Sequence, residues 1–459
     1  MAMSQQYLES LTAEGETSND LAFDVATAFC ALAEAQGVPV VANLGDSARA
    51  SENLMKADVL IERVLMASPR DRKALLLSAR INEDRMILAA SDHRRDSETA
   101  FARKSADRLE SLLATGTASD AEKLQASRVF ANIALAFKNL HLYDESVRYS
   151  RRVLGLVPPD ARKLDTRASA LSIIADSLRY SGDLKGALDT VLEAERAAQK
   201  GYFSTEDIRV NLLQNIMWRH AMILGADGQI SLGRTDDAIA VLRQAFDLIE
   251  EAAKKDLNDA SIRILFVEDG RELGNMLRDR NPEVALAVFD HARLRVGEIK
   301  NNAKARRGEA QLLAASSYPL RRLGRAREAG QRINKALDLL RQTNNYPADA
   351  INTSDELHTV LLALGDHLAD EGRLQQATDV YQQLLDKLMA SHPDPENDLV
   401  HATALSRIYG ALTSLNRRNG KSEQANTISQ LRTKLWQNWN RKLPASPFIQ
   451  EELSAAQTP

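Results

Sequence analysis

The chain has 459 residues, of which 44% are hydrophobic and 27% charged, and its formal net charge is -4. This charge argues against a dedicated nucleic-acid-binding protein, because such proteins usually carry a strongly basic surface. Aromatic residues make up only 5% of the chain while alanine and leucine dominate, a balance that favours helices over strands.

The first predicted helix contains Cys30, the only cysteine. It lies in an apolar run, so we expect it to be buried like a small hydrophobic residue. One cysteine excludes an internal disulfide and a thiolate metal cluster. No stretch reaches the roughly 18 apolar residues of a membrane span, and the N-terminus lacks the features of a signal peptide. We expect a soluble chain without membrane contact, cytoplasmic as it stands and extracytoplasmic if it is a fragment of a membrane-anchored protein.

A six-residue phrase recurs along the chain between segments with helical hydrophobic spacing. It runs from glycine to alanine at 182–187, 233–238, 324–329, 372–377 and 420–425, with weaker copies at 141–146 and 281–285. Glycine ends a helix well because it enters the left-handed conformation without a steric penalty. The alanine falls on the first turn of the next helix, where its methyl lets two helices approach closely. Each phrase therefore predicts the corner of a helical hairpin.

The residues around these corners follow the tetratricopeptide pattern. Positions equivalent to the alanine fall at 57, about 100, 146, 187, 238, 285, 329, 377 and 425, which are 41 to 51 residues apart. This period exceeds the usual 34 or so residues and indicates longer helices. HEAT-type repeats of about 40 to 47 residues are an alternative, but they do not explain the glycine-to-alanine phrase. The sequence predicts an all-α, tetratricopeptide-like (TPR-like) superhelical solenoid of antiparallel helix hairpins.

Breaks between the hairpins are expected at 114–120, 157–160, 201–207, 346–349 and 391–395, which are rich in Pro, Gly, Ser and Asp. Residues 204–207 and 353–356 resemble capping boxes that open a helix. No long linker separates these segments. We therefore expect a single continuous array over 1–459, with about eight or nine hairpins and a capping helix and tail at 430–459.

Motifs for catalysis are missing from the sequence. It contains no phosphate-binding glycine loop, no metalloprotease or Cys-x-x-Cys motif, and no nucleophile elbow. Residues 92–96 superficially resemble a kinase catalytic loop, and we interpret them as a solvated turn between two helices. The eight histidines are scattered and are not expected to bind a metal. The sequence predicts a protein that is not an enzyme and needs no cofactor or metal.

A basic cluster falls within one hairpin and consists of Lys304, Arg306, Arg307, Arg321, Arg322, Arg325, Arg327 and Arg332. It could bind an anionic partner such as a carboxylate, a phosphoprotein or RNA. The simpler interpretation is a solvated surface whose acidic partners lie on neighbouring repeats.

The first helices of successive hairpins are expected to line a concave groove that binds a protein or peptide. From the helical register, the residues predicted to face it are Arg128, Asn132, Asn139, Asp176, Arg179, Tyr318, Arg321, Arg322, Asp366 and Asp370. Their mixed charges argue against a ligand of uniform charge. Homo-oligomers are also compatible with the sequence.

Near the C-terminus, Trp436 and Trp439 lie on one face of a predicted helix. They are expected to close the exposed end of the array, because terminal repeats need atypical caps. Anchoring of a partner is the alternative role.

Both ends of the chain resemble one family. Residues 7–11, 32–39 and 42–46 resemble the start of the tetratricopeptide region of bacterial serine/threonine protein kinases of the acidobacterial type, and residues 435–448 resemble its end. In that family the array follows a kinase domain, so the resemblance implies a sensory or partner-binding region of a signalling protein. Nothing here matches the kinase domain, so kinase catalysis does not carry over.

The sequence thus predicts a non-catalytic scaffold that binds a protein or peptide, and the resemblance implies a link to bacterial kinase signalling. The alternative is a helical-repeat protein that binds nucleic acid through the basic patch at 304–332, which the overall charge makes less favoured.

Overall fold

The computed structural model describes residues 8, 10, 11, 18–39, 43–92, 94–114, 116, 118–158, 164–201, 203, 205–226, 228–256 and 259–458. Within these residues the regular structure is helical and contains no strand. The chain divides into two compact units, Met1–Ser177 and Leu178–Pro459, which we call unit 1 and unit 2. The single continuous array over 1–459 stays a prediction.

Unit 1 consists of three helix hairpins and most of a seventh helix. The helices are α1 (Asn19–Gln36), α2 (Ser47–Ala67), α3 (Arg72–Ser91), α4 (Arg95–Leu113), α5 (Asp120–Asn139), α6 (Tyr143–Leu156) and α7 (Leu164–Tyr180). Helix α1 packs on α2, α3 on α4 and α5 on α6, while α2 also packs on α3 and α4 on α5. Pairing in sequence order, with each hairpin packed on the next, is the arrangement of a TPR-like solenoid.

Unit 2 has the same kind of arrangement within itself, with five hairpins between α8 and a final helix. The helices are α8 (Leu184–Lys200), α9 (Glu206–Gly225), α10 (Thr235–Lys255), α11 (Ala260–Leu277), α12 (Pro282–Gly297), α13 (Ala303–Ala315), α14 (Ser317–Arg322), α15 (Ala326–Gln342), α16 (Glu356–Asp370), α17 (Leu374–Ala390), α18 (Leu399–Arg418), α19 (Ser422–Lys442) and α20 (Pro447–Gln457). Most of these helices have 15 to 21 residues, which accounts for the long repeat.

The predicted hairpin corners are confirmed. The five corner glycines Gly182, Gly233, Gly324, Gly372 and Gly420 have φ between 71° and 92°, the left-handed region that glycine enters without strain. The alanines that close the phrase, at 187, 238, 329, 377 and 425, are fully buried. In the weaker copy at 141–146 a histidine, His141, takes the same conformation with φ 63°. The position expected near 100 is Ala102, which is fully buried.

One first helix is broken in two. Pro319 has no N–H to donate, and inside a helix its ring collides with the carbonyl one turn earlier. The helix that begins at Ala303 therefore stops at Ala315 and resumes as the short α14. The Ser316 and Ser317 hydroxyls donate to the carbonyl oxygens of Leu313 and Ala314, at 2.8 and 2.6 Å. The break sets the position of Tyr318 at the start of α14.

The N-terminal caps of two helices differ from the sequence prediction. Helix α16 begins after Asp355, which makes no side-chain cap, so Thr353 does not open a capping box there. Asp355 instead accepts a bond from the Asn352 backbone N–H at 2.7 Å. In the other predicted box, residue 204 lies outside the described residues and Thr205 caps α9. Of the kinase-like stretch at 92–96, residue 93 lies outside the described residues, and Arg95 already begins α4.

The first and last parts of unit 2 are in contact. Leu184 on α8 and Ile230, in the loop between α9 and α10, share a buried apolar cluster with Leu399, Trp436 and Ile449. A β-carbon at Gly182 would lie 2.6 Å from the side chain of Leu443. The hairpins of unit 2 therefore curve until its ends meet, which makes its inner surface strongly concave.

Cys30 is buried in the core of unit 1, as predicted. No helix in the described part of the chain combines the length and the apolar character that crossing a bilayer requires.

Candidate binding groove

The inner surface of unit 2 contains three adjoining cavities of about 420, 460 and 530 Å³. Arg278 and Arg407 line all three of them, so the cavities form one continuous surface, which we call the groove. Most of the side chains that line it come from the first helices of the five hairpins. These helices are α9, α11, α13 with α14, α16 and α18.

Tyr318 lies at the centre of the groove. Its hydroxyl donates to Asp366 Oδ2 at 2.7 Å and accepts from Arg407 Nη2 at 3.0 Å. The guanidinium groups of Arg278 and Arg321 lie over its ring, 4.8 and 4.6 Å from the centroid. Burial, with the Asp366 carboxylate nearby, raises the pKa of Tyr318 to about 12, so the phenol stays protonated and keeps donating at physiological pH.

Five of the residues predicted to face a groove meet around the 530 Å³ cavity: Tyr318, Arg321, Arg322, Asp366 and Asp370. The Arg321 guanidinium pairs with Asp370 at 2.5 Å, and Arg322 pairs with Asp279 at 2.8 Å. These contacts join α14 to the next hairpin on one side and to the preceding hairpin on the other. The carboxylates thus hold the arginines in place along the groove.

Arg179, the sixth predicted residue in unit 2, is fully buried. Its Nε donates to the carbonyl of Ile230 at 2.9 Å, and its Nη2 donates to Gln229 Oε1 at 3.1 Å. The guanidinium therefore holds the loop between α9 and α10 and does not line the three cavities. A buried arginine needs such acceptors because an unpaired buried charge is costly.

The remaining four predicted residues belong to unit 1. Arg128, Asn132 and Asn139 are exposed on α5, and Asn132 donates to Glu83 Oε1 at 2.6 Å. Asp176 is buried on α7, 3.3 Å from the Lys138 ammonium. Asn132 and Asp176 thus make polar contacts within unit 1. That any of the four residues binds a partner stays a prediction.

Most of the residues that line the groove were not predicted from the sequence. Glu268, Arg271, Glu272 and Asn275 form a polar stripe on α11, at the i, i+3, i+4 and i+7 positions of one helical face. That spacing indicates a polar helical face. Its position in the groove is hard to predict from the sequence, because the long loop between α9 and α10 shifts the register of the hairpins that follow.

His358 also lines the groove, which the scattered positions of the histidines in the sequence do not predict. It lies on α16, more than nine-tenths buried, and lines two of the three cavities. Burial, assisted by the nearby Arg407, lowers the pKa of His358 to about 4, so the ring is neutral at physiological pH. Its Nε2 has no hydrogen-bond partner among the described residues.

The predicted basic cluster is largely neutralised by carboxylates. Besides Arg321 and Arg322, Arg307 pairs with Glu356 at 3.4 Å, Arg325 with Glu328 at 2.5 Å and Arg332 with Asp290 at 2.6 Å. Four of these five acids lie on neighbouring hairpins. This arrangement fits the simpler interpretation, an ordinary solvated surface, better than a patch for a polyanion.

The two tryptophans near the C-terminus are buried. Trp436 Nε1 donates to Ser406 Oγ at 2.8 Å, and its ring packs edge-on against Phe448 of α20, with centroids 5.9 Å apart. Trp439 Nε1 donates to the carbonyl of Pro395 at 2.8 Å. These contacts hold α20 and the segment around Pro395 against α19. That they close the exposed end of the array stays a prediction.

A group of possible metal ligands in unit 1 consists of Cys30, Glu34 and Asp84. Burial, with Asp84 nearby, raises the pKa of the Cys30 thiol well above its usual range, whereas a metal ligand needs the thiolate. The Arg80 guanidinium already pairs with Glu34. The arrangement therefore suits a buried polar contact better than a metal site.

No family model matches the chain, and no curated protein matches it in sequence. Solved structures that resemble it include the apo form of the quorum sensor NprR from B. thuringiensis, at 14% identity over 83% of this chain and 97% of that chain, with a TM-score of 0.49. The apo form of RapI has 13% identity over 83% and 97%, with a TM-score of 0.46.

Human IFIT1 in complex with m7Gppp-AAAA is similar at 12% identity, over 98% of this chain and 92% of that chain, with a TM-score of 0.43. With every one of these TM-scores below 0.5, the likenesses are too loose to carry a ligand from one protein to another.

Proposed function

We propose that the chain is a non-catalytic scaffold that binds a protein or peptide segment in the groove of unit 2. The observation that supports this most is the convergence of five first helices on one concave surface. That surface offers apolar side chains such as Leu362 and Val400 beside charged ones such as Arg271 and Glu268. Because the side chains project from a packed helical scaffold, a peptide would bind with little ordering cost on the protein side.

The finer proposal is that this scaffold is the sensory or partner-binding region of a bacterial serine/threonine kinase-linked protein. It rests on the two terminal stretches that resemble such proteins, of which part of the first lies outside the described residues. The genomic reading frame upstream of Met1 tests it. A kinase domain encoded in that frame would support the proposal. A stop codon immediately upstream would count against the kinase link.

The alternative function, nucleic-acid binding through the patch at 304–332, has weaker support. Most of the cations in that patch already have carboxylate partners, and the groove beside it carries Glu268, Glu272 and Glu356.

The proposed function can be tested by selecting peptides from a random displayed library on the full chain. Thr359 lines the groove and is half-buried, so Thr359→Trp should fill the groove without changing its charge. Thr378 on α17 is similarly half-buried but lies outside the three cavities, which makes Thr378→Trp the matched control. We expect selected peptides to lose binding to the first variant and to keep it for the second.

Equal binding of the selected peptides to both variants would show that they attach elsewhere. If the library yields no enriched peptide on the unmodified chain, the proposed function is wrong.

A further inference from the structure

Two nitrogen atoms in the groove are buried but have no hydrogen-bond partner among the described residues. They are Nε1 of Trp218, on α9, and Nε2 of His358, on α16. Both side chains line the 460 Å³ cavity. Buried polar groups without a partner are uncommon in folded proteins, because each one costs free energy unless something binds it. The two nitrogens therefore indicate that this part of the groove receives a ligand.

The same kind of group would satisfy both nitrogens, namely an oxygen that accepts a hydrogen bond. The indole nitrogen of Trp218 can only donate. Burial lowers the pKa of His358 to about 4, so the ring is neutral at physiological pH. A neutral imidazole donates through whichever nitrogen carries its proton. An acceptor oxygen in the cavity would hold that proton on Nε2.

An apolar wall lies beside His358, where the 460 Å³ cavity meets the 420 Å³ cavity. His358 lines both cavities, and so does Leu362, one turn further along the same face of α16. Ile230, Val400 and Ala404 also line the 420 Å³ cavity. These three residues and Leu362 form what we call the apolar wall. An aliphatic side chain would be stabilised by leaving water for such a surface.

One peptide residue carries both features that this part of the groove complements. Its side chain can be aliphatic, and its carbonyl carbon is bonded directly to Cα, so the side chain and the acceptor oxygen lie close together. An amide oxygen also costs far less to bury than an ionised carboxylate. An extended chain presents a carbonyl about every 3.3 Å. The same peptide thus offers a second acceptor, for Trp218, along the 460 Å³ cavity.

We infer that the groove binds an extended peptide at an aliphatic residue, whose side chain lies on the apolar wall and whose main-chain carbonyl accepts a hydrogen bond from His358 Nε2. This inference rests on the proposed function and adds the chemistry of the partner. It gives the apolar wall the selection of the side chain and gives His358 the recognition of the main chain.

The first test measures which side chain the groove selects, with the full chain and two fluorescent pools of short peptides. One pool has leucine fixed at the centre, and the other has asparagine, which is close to leucine in shape but polar. The flanking positions vary between glycine and serine, so the fixed residue alone can be aliphatic. Anisotropy titrations should show the leucine pool binding about 10- to 100-fold more tightly. Val400→Thr, which makes the apolar wall more polar at nearly constant shape, should reduce this preference.

The second test replaces the carbonyl oxygen of the central leucine with sulfur, which accepts hydrogen bonds more weakly. This thioamide pool should bind the unmodified chain about 3- to 10-fold more weakly than the leucine pool does. On His358→Phe, which keeps an aromatic ring but cannot donate, the two pools should bind equally. His367→Phe is the matched control and should keep the full difference, because His367 is also buried on α16 but lines none of the three cavities.

His358→Gln provides a further check, because an amide can still donate, and it should keep part of the difference between the leucine and thioamide pools. Circular dichroism melts that match the unmodified chain show that each variant is folded. If the leucine and asparagine pools bind equally while Thr359→Trp abolishes both, the groove binds peptides but the inference is wrong. It is also wrong if the unmodified chain binds the thioamide pool as tightly as the leucine pool, or if His358→Phe preserves their difference. If no pool binds, the proposed function fails with it.

Discussion

The ring of Tyr381 on α17 lies against the backbone of Gly365 on α16, so closely that a β-carbon at Gly365 would come within 2.6 Å of the ring. The Tyr381 hydroxyl donates to Asp366, the next residue along α16. One glycine thus lets an aromatic ring from the second helix of a hairpin reach across the first helix to the groove. The stability of this hairpin and the position of a groove carboxylate depend on the same contact.

We therefore predict that Gly365→Ala destabilises the protein. Its matched control is Gly297→Ala at the end of α12, where a β-carbon would meet nothing within 4 Å. Both changes gain helix propensity, but only the first overpacks the core, at a cost of about 1 to 3 kcal/mol. Urea unfolding followed by circular dichroism should show Gly365→Ala less stable than Gly297→Ala by that amount. Equal stability would mean that the ring moves aside freely.

The hairpin corner at Gly372 leads to a second prediction. Ala377 is fully buried on the first turn of α17, so Ala377→Leu should also overpack the contact between α16 and α17 and cost about 1 to 3 kcal/mol. Gln376→Leu places the same side chain at the neighbouring exposed position and should change stability little. The two thermal melts, measured side by side by circular dichroism, test the assignment of the corner.

The corners could be predicted from the sequence because their chemistry is local. Glycine and alanine fall within six residues, and each corner needs only a left-handed turn and a small contact. The groove could be predicted only in part. Tyr318 and Asp366 have the right helical register, but the approach of Arg278 to Arg407 depends on the accumulated rotation of several hairpins, which no local pattern encodes.

Two local irregularities caused further misses. Pro319 breaks a first helix, and the long loop between α9 and α10 separates Gly225 from its corner glycine, Gly233. The same loop explains the position of Arg179, whose register is that of a groove residue but whose guanidinium binds the Ile230 carbonyl. Fixed hairpin spacing does not anticipate a loop that folds back on the preceding helix.

Asp84 in unit 1 predicts how stability depends on pH. Burial, together with the neighbouring Glu34 and Glu83, raises the pKa of Asp84 from 3.8 to about 7. The folded chain therefore binds the Asp84 proton more tightly than the unfolded chain does. The stability that this binding contributes is complete below about pH 4 and is lost as the pH rises to about 7. Arg80 and the Cys30 thiol, which also face Asp84, only partly offset the loss.

Asp84→Asn should therefore be more stable than the unmodified chain at pH 8, by up to about 4 kcal/mol. The difference should shrink as the pH falls towards 4. Urea unfolding across this range measures it directly, and the comparison between variant and parent removes the effect of other titrating groups. A pH-independent difference would show that Asp84 is ionised in the folded chain throughout.

The cap of unit 2 predicts a large effect of a single tryptophan. Trp436 is fully buried against Phe448 and Ser406, so Trp436→Ala should cost about 3 to 5 kcal/mol. Trp436→Phe keeps an aromatic ring but loses the bond to Ser406 and part of the packing volume, and should cost about 1 to 3 kcal/mol. Denaturant titrations give both values. If the alanine variant unfolds at the same urea concentration as the parent, α19 and α20 do not stabilise unit 2.

The basic cluster at 304–332 predicts weak binding of nucleic acid. Of its eight cations only Lys304, Arg306 and Arg327 lack a carboxylate partner within the described part of the chain. Neutralising three phosphates of a single strand gives a slope of log affinity against log salt of about -2, so binding of single-stranded RNA should be detectable at low salt and lost at physiological salt. Replacing these three residues with glutamine should abolish the low-salt binding, while Arg243→Gln, at an exposed position of α10 outside the cluster, should not. A steeper slope would mean that the paired arginines exchange their carboxylate partners for phosphates. That outcome would support the alternative function, nucleic-acid binding.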